Sequence, residues 1–157
     1  MSKAMSNRRD VIKHGAVVTA LLTGVGWMPR IARAQTLAHG AFDAKTLEEL
    51  YKALGTPKPT ESSLVTLVAP EIAENGAVVR MGLSTTAPGA KKLLLLIEKN
   101  PNVLSAAFDV SPAVEPSFQI NVKMGQTSNV YAVALTTDNK VLFAQKEVKV
   151  TLGGCGG

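Results

Sequence analysis

The sequence predicts an all-β sandwich preceded by one short helix, and three observations carry that expectation. From Leu64 onward about seven strand-like runs are separated by turn residues, the spacing of a sandwich and not of alternating βαβ units. The clearest run sets Phe118, Ile120, Val122 and Met124 against Gln119, Asn121 and Lys123, the period of two expected of a half-buried strand. The single helix-start signature, Thr46-Leu47-Glu48-Glu49, lies ahead of all of them.

Taken in order, residues 35–44 read as a flexible stretch. Thr46 and Glu49 then form a capping box, in which a hydroxyl and a carboxylate satisfy free amides at a helix start. The short helix ends at Leu54, because Gly55 offers a C-terminal cap and Pro57 and Pro59 prevent continuation. Strands are expected near 64–68, 77–84, 92–98, 104–110, 117–124, 129–136 and 141–152. Leu93, Leu94, Leu95, Leu96 and Ile97 are apolar on both faces. Such a run is either a central strand or one whose outer face meets another protein, and the second is the expectation here. Asn75-Gly76 and Asp138-Asn139 supply residues that tolerate positive φ at turns, while Pro112 and Pro116 mark a loop.

The beginning of the chain has the order of a twin-arginine export signal. Asn7-Arg8-Arg9-Asp10-Val11-Ile12-Lys13 precedes an apolar stretch over 15–28, and Ala32-Arg33-Ala34 supplies a small-x-small cleavage site. The apolar stretch is shorter than the ~20 residues a spanning helix needs and contains Gly24 and Gly26, so a membrane anchor is disfavoured. Removal after Ala34 is expected. The organisation is then a leader at 1–34, one domain at 35–152 and a terminal arm at 153–157.

That cut removes the basic character. The chain has 17 Lys plus Arg and 12 Asp plus Glu, of which six basic residues and one acidic residue precede Gln35, leaving eleven of each sign. A nucleic-acid or acidic-membrane partner is not expected of a neutral domain, because the phosphate backbone needs a fixed positive surface. After Ala34 the only histidine is His39 and the only cysteine Cys155, so no multi-residue His/Cys metal site can form and no cofactor is expected. With no Gly-x-Ser-x-Gly and no Cys-x-x-Cys, neither a serine triad nor a thioredoxin-type centre has support. The carboxylate pairs Glu48 with Glu49 and Glu71 with Glu74 are ordinary for solvated faces.

The chemistry concentrates at the end. Cys155 stands between the pairs Gly153-Gly154 and Gly156-Gly157, in a strip of chain that neither helix nor strand propensity organises. The bland readings are an incidental cysteine on a stump and an intermolecular structural disulfide; the sharper one is a presented thiol that does covalent chemistry. Lys149 is the nearest basic residue in sequence, and a thiol near its ordinary value of about 8.5 is only a few per cent thiolate at pH 7. An accessible thiol that is not self-activated behaves as a carrier and not as an enzyme.

Residues 70–79 (PEIAENGAVV), 98–101 (EKNP), 123–130 (KMGQTSNV) and 146–151 (KEVKVT), with the terminal Gly-Gly-Cys-Gly-Gly, resemble the SoxY family. These are the sulfur-carrier subunits of the bacterial thiosulfate-oxidising Sox system. The resemblance covers nearly all of the chain after Ala34, with Arg80 standing where the family more often has proline. It implies an immunoglobulin-like sandwich paired with SoxZ, a leaderless partner co-exported to the periplasm. It also implies that Cys155 is the attachment point: SoxAX, a haem enzyme, joins thiosulfate to it oxidatively. SoxB, a dimanganese enzyme, hydrolyses the terminal sulfone to sulfate, and SoxCD, where present, oxidises the remaining sulfane. A ubiquitin-like carrier ending in Gly-Gly, or an exported structural domain cross-linked through Cys155, are the alternatives.

Overall fold

The computed structural model describes residues 40–152. The expected leader at 1–34 lies outside the described residues, as do Gly153, Gly154, Cys155, Gly156 and Gly157. Helix α1, Leu47–Leu54, starts where the capping residues place it. The Thr46 hydroxyl accepts from Glu49 N–H at 3.2 Å. Glu49 in turn accepts from the N–H of Lys45 at 2.8 Å, one residue before the cap. Gly55 stops the helix at φ 61, a left-handed conformation that costs glycine little. The flexibility expected of 35–44 does not hold for its described part. Ala41 and Ala44 are buried, and the Ala44 carbonyl accepts from Val103 N–H at 3.0 Å, because this stretch helps to cover a sheet.

Among the described residues nine strands follow: β1 (Thr60–Glu61), β2 (Val65–Val68), β3 (Ile72–Ala73), β4 (Val79–Thr85), β5 (Ala90–Ile97), β6 (Leu104–Asp109), β7 (Ser117–Val122), β8 (Ser128–Thr136) and β9 (Val141–Val150). The seven expected runs are all present. The two additions, β1 and β3, are two residues long and too short to show a period. The larger sheet has the order β1-β9-β8-β5-β6, with β3 also on β9; the smaller has the order β2-β4-β7. Strands β1 and β3 pair with β9 in parallel, and the remaining pairings are antiparallel. At the β8–β9 turn Asn139 takes the expected positive φ, at 63°. Asn75-Gly76 works differently: the Asn75 side-chain carbonyl accepts from Ala77 N–H at 2.8 Å, a turn closed by an Asx hydrogen bond without a positive φ.

The two sheets pack face to face as an immunoglobulin-like sandwich. Between them lie Val79, Met81 and Leu83 of β4, Leu93, Leu95 and Ile97 of β5, and Val130, Ala132 and Ala134 of β8. Phe108 and Phe118 bridge the sheets at one side, their rings stacked with centroids 4.4 Å apart. A second apolar layer fills the other face of the larger sheet. There Leu94, Leu96, Val133 and Leu135 pack against Leu50, Ala41, Ala44 and Val103. This overturns the expectation that the outer face of the Leu93 to Ile97 run meets another protein. All five side chains are fully buried, because α1 and its leading segment cover that face. Among the described residues no helix is long and apolar enough to cross a membrane.

Candidate functional site

The expected attachment residue Cys155 and its four glycines lie outside the described residues, so the site is built from what holds the chain immediately before them. Strand β9 is the longest strand, with β8 along one edge from Ser128↔Val148 to Leu135↔Val141. Its other edge carries β1 at Leu142 and Phe143 and β3 at Lys149 and Val150. Threonine, valine and lysine suit such an edge through β-propensity and through the lysine stem.

Beyond Val150 the chain is still tied down. Val150 N–H donates to the Thr127 hydroxyl at 2.9 Å, and Thr151 N–H donates to the Ala73 carbonyl at 3.1 Å. The Thr151 hydroxyl donates to the Glu74 carbonyl at 2.9 Å. Gly76 N–H donates to the Leu152 carbonyl at 2.7 Å, and the Gly76 carbonyl accepts from Met124 N–H, also at 2.7 Å. Segment 73–76 thus stitches the end of β9, in the larger sheet, to the end of β7, in the smaller one. Three residues past Leu152 comes Cys155.

The charged groups around this exit are few. Lys146 Nζ donates to the Ala69 carbonyl at 2.9 Å and stands 4.0 Å from the Glu71 carboxylate, an exposed pair of little energetic weight. Lys149 is held through its backbone N–H to the Glu71 carbonyl at 2.9 Å. Ile72 borders the same surface as Glu71, Lys146 and Lys149, and Ile72, Val78 and Leu152 are exposed. Sequence reasoning missed these three, because exposure of an apolar side chain depends on tertiary pairing, for Ile72 that of β3 with β9, and not on local pattern.

Other polar groups lie elsewhere in the fold. Arg80 on β4 hydrogen-bonds Gln119 on β7. Both border a groove of about 230 Å³ floored by Gly82, where a Cβ would come within 3.3 Å of the Val68 Cβ. The Tyr131 hydroxyl donates to Glu98 at 3.2 Å; burial, and then the Glu98 charge, raise its pKa. Burial pushes Tyr51 up to about 12. Both phenols therefore stay protonated at neutral pH, and that of Tyr131 serves as a donor. Among the described residues no three His, Cys, Asp or Glu side chains gather as metal ligands.

A family model described as sulfur oxidation protein SoxY matches residues 50–155. Among solved structures, the sulfur carrier protein SoxY from Chlorobium limicola f thiosulfatophilum is 33% identical. The match covers 67% of this chain and 94% of that one, with a TM-score of 0.60. More distant are a superoxide reductase (neelaredoxin) from Ignicoccus hospitalis, at 20% identity over 55% of this chain and 79% of that one with a TM-score of 0.46, and fibronectin(III)-like modules of CbhA from Clostridium thermocellum, at 21% over 55% and 93% with a TM-score of 0.41. No curated protein matches the sequence.

Proposed function

The chain belongs to the SoxY family of sulfur carrier proteins, and from that premise we propose that it carries thiosulfate-derived sulfur covalently on Cys155 in the periplasm. The observation that supports this reading most is how far the family match runs and how the chain just before Cys155 is anchored. The family match runs to residue 155, while the last described carbonyl, that of Leu152, is hydrogen-bonded to Gly76. In sequence Cys155 stands three residues past that anchored carbonyl.

The chemistry balances with the enzymes supplied by partners. In loading, the S–H bond of Cys155 breaks and an S–S bond forms to the outer sulfur of thiosulfate. One proton and two electrons leave, the electrons passing to the haem enzyme SoxAX. In the next step water cleaves the bond between the sulfane sulfur and the sulfonate, which SoxB catalyses, releasing hydrogen sulfate and leaving a persulfide on Cys155. SoxCD, where a cell has it, oxidises that sulfane. The carrier itself is not an enzyme and needs no cofactor; its contribution is to present the sulfur. Sox-system partners such as SoxZ belong with the family, and a heterodimer with SoxZ is part of this proposal. Its support is the family alone, since the buried outer face of β5 no longer argues for it. Twin-arginine export, with removal of 1–34, completes the reading. The two-sheet sandwich counts against the ubiquitin-like alternative.

The test is the intact mass of the mature protein from cells grown on thiosulfate, prepared without reductant. A thiosulfate-derived increment that disappears in Cys155→Ser is expected, along with loss of residues 1–34. An increment that persists in Cys155→Ser, or none in the wild type, overturns the carrier assignment. Replacing Gly153, Gly154, Gly156 and Gly157 together by valine is expected to slow loading, because β-branched side chains thicken and stiffen the arm.

A further inference from the structure

Segment 73–76 carries a piece of chemistry that its stitching role does not use. Of the seven asparagines in the chain only Asn75 is followed by glycine, and glycine, having no Cβ, leaves its nitrogen open to approach from the preceding side chain. At such a pair the backbone itself is a nucleophile. The Gly76 nitrogen gives up its proton to solvent and attacks the Asn75 Cγ, and the new N–C bond closes a five-membered imide. The bond from Cγ to the side-chain nitrogen breaks, and that nitrogen takes up a proton and departs as ammonia. Water then opens the imide at either carbonyl, leaving aspartate or isoaspartate, and no electrons change hands.

The two reacting groups are held in opposite ways. The Asn75 side-chain carbonyl accepts from Ala77 N–H at 2.8 Å, a donor placed where negative charge develops as Cγ is attacked. The electrophile is favoured. Gly76 N–H donates to the Leu152 carbonyl at 2.7 Å, and Gly76 is buried while Asn75 is exposed. Its proton thus faces a carbonyl, which is no base, and burial keeps solvent base from it. The nucleophile is shut off. The surrounding bonds maintain this state: Thr151 N–H on the Ala73 carbonyl, Met124 N–H on the Gly76 carbonyl, and the Thr151 hydroxyl on the Glu74 carbonyl.

We propose that Asn75 is a self-modification site gated by the tie between Gly76 N–H and the Leu152 carbonyl. Deamidation is blocked while the tie is made and proceeds only when the end of β9 detaches from segment 73–76. Its rate is then the chemical rate of the free pair scaled by the fraction of time the tie is open. The change is one-way. In isoaspartate the side-chain methylene of residue 75 has entered the backbone, so Gly76 stands one atom farther along and loses register with Leu152 and Met124. None of this depends on the carrier reading, since it needs neither Cys155 nor a partner.

The experiment incubates the purified protein in mildly alkaline buffer, folded or in urea. The amide-to-acid mass shift at Asn75 is followed by peptide mass spectrometry, and isoaspartate is counted by enzymatic methylation. The folded protein should react at least about tenfold more slowly than the unfolded chain. Thr151→Val removes the hydroxyl bond to Glu74 without touching the reacting pair, and it should speed the folded reaction about threefold to tenfold. Thr127→Val, which removes the acceptor of Val150 N–H, should do the same. In urea both variants should match the parent, because their unfolded chemistry is identical. Thr56→Val is the control: it loses a hydroxyl bond to the Tyr51 carbonyl at the end of α1, and its folded rate should equal that of the parent. Equal rates in the folded and unfolded parent overturn the gate. A parental rate in both folded Thr151→Val and folded Thr127→Val overturns it too. Modification of the unfolded chain at other asparagines ahead of Asn75 overturns the site itself.

Discussion

Strands β5 and β7 lie in opposite sheets and differ in what covers them. β5 sits between β8 and β6, with Leu93, Leu95 and Ile97 facing the smaller sheet and Leu94 and Leu96 facing the layer built on α1. β7 is an edge strand with one open face, on which Ser117, Gln119 and Asn121 are exposed. The sequence pattern of a strand therefore reports how many of its faces are covered. It is silent on whether the cover comes from the same chain or from another, and that is where the reading of β5 went astray.

The largest expected contrast comes from placing a charge on each strand. Leu94→Asp would bury an unpaired carboxylate between β5 and α1, costing more than about 4 kcal/mol, and should yield no folded protein. Gln119→Asp on the open face of β7 should stay within about 0.5 kcal/mol of the parent. Thermal unfolding followed by circular dichroism reads both, and a well-folded Leu94→Asp would mean that this face is open. Truncation sharpens the same comparison. Leu94→Ala and Leu95→Ala should each cost roughly 3 kcal/mol in urea unfolding, since both side chains are fully buried. Ile120→Ala on the half-buried face of β7 should cost about 1 to 2 kcal/mol. A Leu94→Ala cost far below that of Leu95→Ala would demote the helix-side layer to a loose cover.

The smallest effect is at the turn that joins β8 to β9 in the covered sheet. Hydrogen bonds from Lys140 and then from Thr136 lower the pKa of Asp138 from 3.8 to about 2. A depressed carboxylate contributes stability above its unfolded pKa, lost as pH falls through the folded one. Asp138→Asn should therefore flatten the stability profile slightly between about pH 4 and pH 2, and only slightly, because the group is exposed to solvent. An unchanged profile in that window would show that the turn does not couple to the sheet.

Much of the fold was legible because its signals are local. Thr46, Glu49 and Gly55 announce a helix from neighbouring residues, and the alternation from Phe118 to Met124 announces a strand. Strands β1 and β3 were not legible, since two residues carry no period and their parallel pairing with β9 joins positions far apart in sequence. The site divides in the same way. Cys155 and its flanking glycines are expected from composition alone and lie outside the described residues. The stitching of Thr151 and Leu152 to segment 73–76, and the exposure of Ile72 beside it, arise only once β3 has found β9.

Strand β9 also decides how the protein answers a pull. Tension directed along the axis of β9 runs parallel to its neighbours β1, β3 and β8. The hydrogen bonds to β8 on one side and to β1 and β3 on the other meet that tension in shear, all at once, and do not open one by one as they would if the strand were peeled sideways. A load along β9 is therefore expected to move the domain as a body with the strand still seated.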